Sequence, residues 1–123
     1  MSPPTLKTRA EFLRIRGGAR HAGPSFVLET KPRAADPTSG PRFGFTVTKK
    51  LGGAVIRNRI RRRLKAAVDA LAERCAKPGH DYVMVARAAA LSQDFEALKK
   101  ELEDAFHRVH HPRREKRRQE PER

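Results

Sequence analysis

Residues 42–65, RFGFTVTKKLGGAVIRNRIRRRLK, hold a strand, a turn and the opening of a helix in one run. Arg42 to Thr48 carries two phenylalanines and a valine between polar residues, the alternation of a strand with one face in a core. Lys49-Lys50-Leu51-Gly52-Gly53 turns the chain. From Ala54 to about Arg74 the residues Ile56, Ile60, Leu64, Ala67, Val68 and Leu71 recur at three- and four-residue steps, which predicts an amphipathic helix. The same run has nine Lys or Arg and no acid, and no acid occurs between Asp36 and Asp69. Bases that cannot pair along the sequence must be relieved by water or by an external polyanion.

Working outward, Thr8 and Glu11 match a capping box and predict a helix over 8–16, stopped by Gly17-Gly18. Ser25 to Thr30 predicts a strand, and the Pro- and Gly-containing stretch over 31–41 a flexible loop. Beyond the basic helix, Pro78-Gly79 closes the turn, and His80 to Arg87 is apolar throughout its middle, as in a central strand buried on both faces. Ser92 is read as the cap of a last helix over about 93–109, with Phe95, Leu98, Leu102, Ala105, Phe106 and Val109 on its buried face. The order α-β-β-α-β-α predicts an α+β domain, a mixed sheet packed by helices. With 123 residues there is room for one domain. Residues 8–109 form it, between a flexible N-terminus (1–7) and a disordered basic tail (110–123).

A formal charge of +14 and a pI near 11.2 make nucleic acid the leading partner class. Cys75 is the single cysteine, which excludes a disulfide framework and a cysteine-based zinc site. No apolar stretch matches a secretory signal or a bilayer span, so no membrane partner is expected and the cytoplasm is the expected location. His107, His110 and His111 lack partners at metal-ligand spacing and fall at the fraying end of a helix. Asp94, Glu96, Glu101, Glu103 and Asp104, with Lys99 and Lys100 a turn away, read as a solvated, salt-bridged face.

At about 100° per residue, Asn58, Arg61, Arg62 and Lys65 lie roughly opposite Ile60, Leu64 and Leu71, and Arg59 flanks them. Such a face suits bidentate contacts to successive phosphates; the bland alternative is a solvated basic surface. An independent metal nuclease would gather carboxylates where the phosphate binds, and this region has none. A structural ribosomal-RNA-binding protein would share the charge and the lack of catalytic groups. A helix-turn-helix regulator would need a short preceding helix, and a membrane-surface helix large apolar anchors.

Lys49-Lys50, Gly53-Ala54-Val55, Arg57-Asn58-Arg59, Arg61-Arg62 and Lys65 together resemble the signature of the bacterial ribonuclease P protein family, a likeness that runs from about residue 5 to 109. The resemblance implies a subunit that binds a catalytic RNA and the 5′ leader of precursor tRNA, the RNA being the catalyst and holding most of the magnesium. A protein-protein oligomer is not implied, the number of copies in the holoenzyme stays open, and the residues themselves give no catalytic group and no metal site. The resemblance places RNA contacts at Lys50, Arg57, Asn58, Arg59, Arg61, Arg62 and Lys65. A leader cleft between the first helix and the sheet falls on Phe12, Thr46, Thr48, Lys49 and Arg87. Phe12 can equally be read as a core residue. Where relatives often have further aromatic residues this chain has Arg16 and Glu29, which implies a cleft that leans on charge. The family fold is similar to the second domain of a small-subunit ribosomal protein, with a left-handed crossover, where general rules predict a right-handed one.

Overall fold

A computed structural model describes residues 5–6, 9–33 and 39–111. Along the chain run α1 (Arg9–Ile15), β1 (Ala19–Ala22), β2 (Phe26–Pro32), β3 (Arg42–Thr46), a single 3-10 turn (Lys49–Leu51), α2 (Ala54–Cys75), β4 (His80–Ala86), α3 (Ala89–Ser92) and α4 (Phe95–His110). The sheet order is β1-β2-β4-β3, with β4 antiparallel to β2 and parallel to β3. The α+β class and the mixed sheet are as expected.

The element order differs from expectation by the short helix α3 and by β1, whose sequence ARHA has too few apolar residues to show a period. It is an edge strand, fixed by its antiparallel register on β2, Ala19 opposite Thr30 and Ala22 opposite Val27. Thr5 and Leu6, inside the segment expected to be flexible, bridge β3: Thr5 pairs with Phe43, and the Leu6 N–H donates to the Phe43 carbonyl at 2.7 Å. Ser92 is not the cap of the last helix. It ends α3, and the Asp94 carboxylate accepts from the Ala97 N–H at 3.3 Å instead. Thr8, residues 34–38 of the expected loop, and the expected tail from 112 onward lie outside the described residues.

β4 is buried on both faces. Tyr82, Met84 and Ala86 join Phe43 of β3 and Phe26 and Leu28 of β2 in the main core under α2 and α4. The Tyr82 ring stacks on Phe43 with centroids 4.8 Å apart, and Phe106 meets both edge-on. Burying each such aromatic side chain is worth about 2–3 kcal/mol. On the opposite face a much smaller cluster, Leu6, Ile15 and Val83 with Phe12 and Val85 against it, seats α1.

α2 can begin where it does because of Gly52. Its φ of +144° is a conformation that side-chain-bearing residues rarely adopt, and a Cβ there would lie 2.9 Å from Ile56. Gly53 is the extended N-cap, and the first helical bond runs from the Arg57 N–H to the Gly53 carbonyl at 2.9 Å. The helix ends before Pro78-Gly79, where Gly79 has a φ of +74°.

Candidate nucleic-acid interface

The buried stripe of α2 is Ile60, Leu64, Ala67, Val68, Leu71 and Ala72. Asn58, Arg59 and Arg62 are exposed on the far side, with Arg61 and Lys65 half-buried at its margins. Arg61 donates to the Asn58 side-chain oxygen at 3.0 Å. With Arg62 and Val55 they line a shallow groove. Val55 is 78% exposed, a large apolar side chain set among guanidinium groups. Arg57 turns back to donate to the Gly52 carbonyl at 3.1 Å, joining the helix to the turn that carries exposed Lys49 and Lys50.

Among the described residues, none of Lys49, Lys50, Arg57, Arg59, Arg61, Arg62 and Lys65 forms an ion pair. The first turn of α2 has no acid either. Cations there oppose the helix dipole at about 0.3–1 kcal/mol each, a strain that an anion at the N-terminus would reverse. Arg63 looks like its neighbours in sequence, but donates to the Ala90 and Gln93 carbonyls and ties α2 to α3.

The second group of expected residues lies on the α1 face of the sheet. β3 and β4 run in parallel register, with Arg42 beside Asp81, Gly44 beside Val83 and Thr46 beside Val85. Phe12 sits over Gly44 so closely that a Cβ there would be 2.5 Å from the ring. The ring is half-buried and packs against the small cluster. Half-buried Thr46 and exposed Thr48 continue the same edge toward Lys49. Arg87 is exposed but its guanidinium donates to the Gly23 carbonyl at 2.8 Å, which fixes it beside the β1–β2 turn. Arg16 is exposed, and Glu29 pairs with Arg20 at 3.4 Å.

At the other end of this face lies a charge cluster that sequence reading missed. Asp81 is fully buried and receives three arginines. Oδ1 accepts from Arg33 at 2.6 Å and from Arg42 Nε at 2.9 Å; Oδ2 accepts from Arg42 Nη2 at 2.8 Å and from Arg14. Arg42 also reaches Glu11 at 3.3 Å. Burial alone would raise the Asp81 pKa, but the hydrogen bonds and charges of Arg42 and Arg33 outweigh it and hold the carboxyl below its ordinary value. The signal in the sequence was one acid inside an otherwise apolar strand.

The remaining expectations divide. The acids of α4 are not a uniform solvated face: Glu96 pairs with Lys99 at 3.1 Å and Glu103 with Arg74 at 3.0 Å, but Glu101 turns inward and accepts from the Ser25 N–H at 2.9 Å. Nor does the helix fray at His110. The Lys77 N–H donates to the Tyr82 hydroxyl at 2.8 Å, leaving its proton for His110 Nε2 at 2.6 Å. Among the described residues no three His, Cys, Asp or Glu side chains gather as metal ligands. No helix among them is long and apolar enough to cross a membrane.

The sequence profile of the Ribonuclease P family matches residues 2–110. The ribonuclease P protein component of Brucella suis is 52% identical over 103 residues, covering 79% of this chain and 73% of that one. That of Erythrobacter litoralis is 38% identical over 120 residues, covering 94% and 97%. Among solved structures, a Staphylococcus aureus RNase P protein mutant with defective mRNA degradation activity superposes with a TM-score of 0.71 at 29% identity, covering 84% of this chain and 85% of that one. The RNase P protein from Thermotoga maritima, at 24% identity and a TM-score of 0.68 over 81% and 92% of the two chains, shares the fold.

Proposed function

This chain belongs to the ribonuclease P protein family, and from that premise we infer a division of labour between its two faces: α2 docks on the catalytic RNA, and the α1 face holds the 5′ leader of precursor tRNA. As a family member it is the protein component of an endoribonuclease ribonucleoprotein that serves tRNA processing. The observation that carries the docking reading is the row of unpaired bases from Lys49 to Lys65, on a helix whose own first turn favours an anion. Exposed guanidinium groups with no ion pair among the described residues offer the fork of donors that phosphate oxygens accept.

The leader reading rests on Phe12, Thr46, Thr48 and Lys49 following the β3 edge of the sheet, with Arg87 past the end of β4 beside the β1–β2 turn. An unpaired base can stack on Phe12 while its phosphates run toward Lys49 and Arg87. Magnesium is assigned mainly to the RNA partner, because the donor set of the basic face is nitrogen, which hard divalent cations do not favour. The protein's residues bind, orient and screen charge, and the chemistry of leader removal is supplied by RNA and metal. The cytoplasm, where precursor tRNA is made in bacteria, is the proposed location.

The test uses the holoenzyme reconstituted with its RNA subunit. Phe12→Ala should weaken precursor tRNA binding by roughly 1–3 kcal/mol, one lost stacking platform, and leave mature tRNA binding nearly unchanged. Equal losses for both RNAs would overturn the leader assignment.

A further inference from the structure

A seven-residue helix such as α1 has no stability of its own in water, so its place on the sheet must be set by what it touches. The apolar part of that contact is small: Ile15 is buried, Phe12 is half-buried over Gly44, and Leu6 packs beside them. The charged part is extensive. From α1, Arg14 reaches Asp81 and Glu11 reaches Arg42, while Arg42 grips the same Asp81 carboxylate with Nε and Nη2 at 2.9 and 2.8 Å. Arg33 holds the other side of Asp81 and also donates to the His80 and Gly40 carbonyls at 3.3 and 2.9 Å, so the carboxylate is itself fixed to the sheet and to the loop end.

These contacts lie at the Arg42–Asp81 rung, whereas Thr46 pairs with Val85 four residues further along the same strands, a separation of about 13 Å at ~3.3 Å per residue. Phe12 sits between them, at the Gly44–Val83 rung. A helix held through Glu11 and Arg14, on either side of Phe12, and carrying that ring two register positions along the strands from the pin, has its cleft width set by the pin.

We infer that Asp81, through Arg14 and the Arg42–Glu11 pair, is a positioning group that sets the height of Phe12 above the sheet and so the affinity of the cleft for an unpaired leader. The inference rests on the leader reading above. None of these four residues touches the leader in this scheme; they act through the placement of α1. Arg14 is the member best suited to a test, because its side chain is 39% exposed and its loss leaves Asp81 with two arginines.

The experiment compares Arg14→Gln, Arg14→Lys, Phe12→Ala and the double variant Arg14→Gln/Phe12→Ala in the reconstituted holoenzyme. Binding is measured to precursor tRNA, to mature tRNA and to the RNA subunit. Arg14→Gln should weaken precursor binding by about tenfold, the scale of one displaced stacking platform, raising KM more than it lowers kcat, with mature tRNA binding and assembly unmoved. Arg14→Lys should recover part of the loss. The double variant should be little worse than Phe12→Ala, since the two changes disable one device. Additive losses would make Arg14 an independent contact and overturn the positioning role, as would equal loss for precursor and mature tRNA. An unaffected Arg14→Gln beside a selective Phe12→Ala would overturn the inference and leave the leader reading standing. No selective loss from Phe12→Ala would remove both.

Discussion

Arginine is used in two opposite ways in this molecule. Around Asp81, three guanidinium groups converge on one buried carboxylate and are consumed by the fold. Along α2, Arg59 and Arg62 are exposed and form no ion pair among the described residues. The residue type is the same and the difference is the presence of a single acid. Arginines near an acid are spent on architecture, as are Arg63 and Arg87 on backbone carbonyls, whereas Arg59 and Arg62 keep their donors toward solvent.

The comparison is most exposed to failure at Asp81. Asp81→Ala removes the shared acceptor and leaves a crowd of like charges, which should cost about 3–5 kcal/mol of stability in urea or thermal unfolding; a loss under about 1 kcal/mol would show that the cluster contributes little to the fold. Arg59→Ala/Arg62→Ala should do the reverse. Stability should stay within about 0.5 kcal/mol, while affinity for the RNA subunit falls by about 2–3 kcal/mol and the slope of log affinity against log salt becomes shallower by between about 1 and 2. An unchanged affinity and slope in the folded variant would mean that this face is merely solvated.

A smaller effect sharpens the contrast between buried and exposed titration. Burial, with the positive charges of Lys77, His80 and His111, holds the His110 pKa down to about 4 from its ordinary 6.5. The unfolded chain therefore takes up a proton first as pH falls, so this contribution is intact above about 6.5 and is lost progressively toward about 4, amounting to roughly 1–3 kcal/mol. Stability measured across that window should fall, and His110→Gln, which keeps an acceptor for the Tyr82 hydroxyl, should flatten the slope. The depressed Asp81 value places its own loss below 3.8, outside this window.

What could be read from the residues follows the same division. The helix of residues 54–75 and the doubly buried strand of 80–86 were legible because their apolar periods are long and uninterrupted. The basic face was legible because the absence of acids is itself visible in sequence. β1 was not, since a four-residue edge strand is defined by its partner and not by its own pattern. Ser92 and Asp94 are both good caps two residues apart, and only the break at Gln93 decides between them. The Asp81 cluster joins residues from four places in the chain, α1, the end of β2, the start of β3 and the start of β4, and no local rule connects them. Glu101 was misread for a like reason: its partner, Ser25, is distant in sequence.

The position of β4 between β2 and β3 also orders events in time. β2 and β3 have no ladder with each other; each pairs with β4, which follows them in the chain. During synthesis, the strands over 26–46 and the whole of the basic helix emerge before the strand that unites them. Non-local pairing of this kind is slow relative to helix formation. The basic segment of α2 is therefore complete in the chain before residues 80–86, the strand that unites the sheet beneath it. Completion of the sheet is the step that gives the apolar stripe of α2 its seat and so turns a run of like charges into one fixed face.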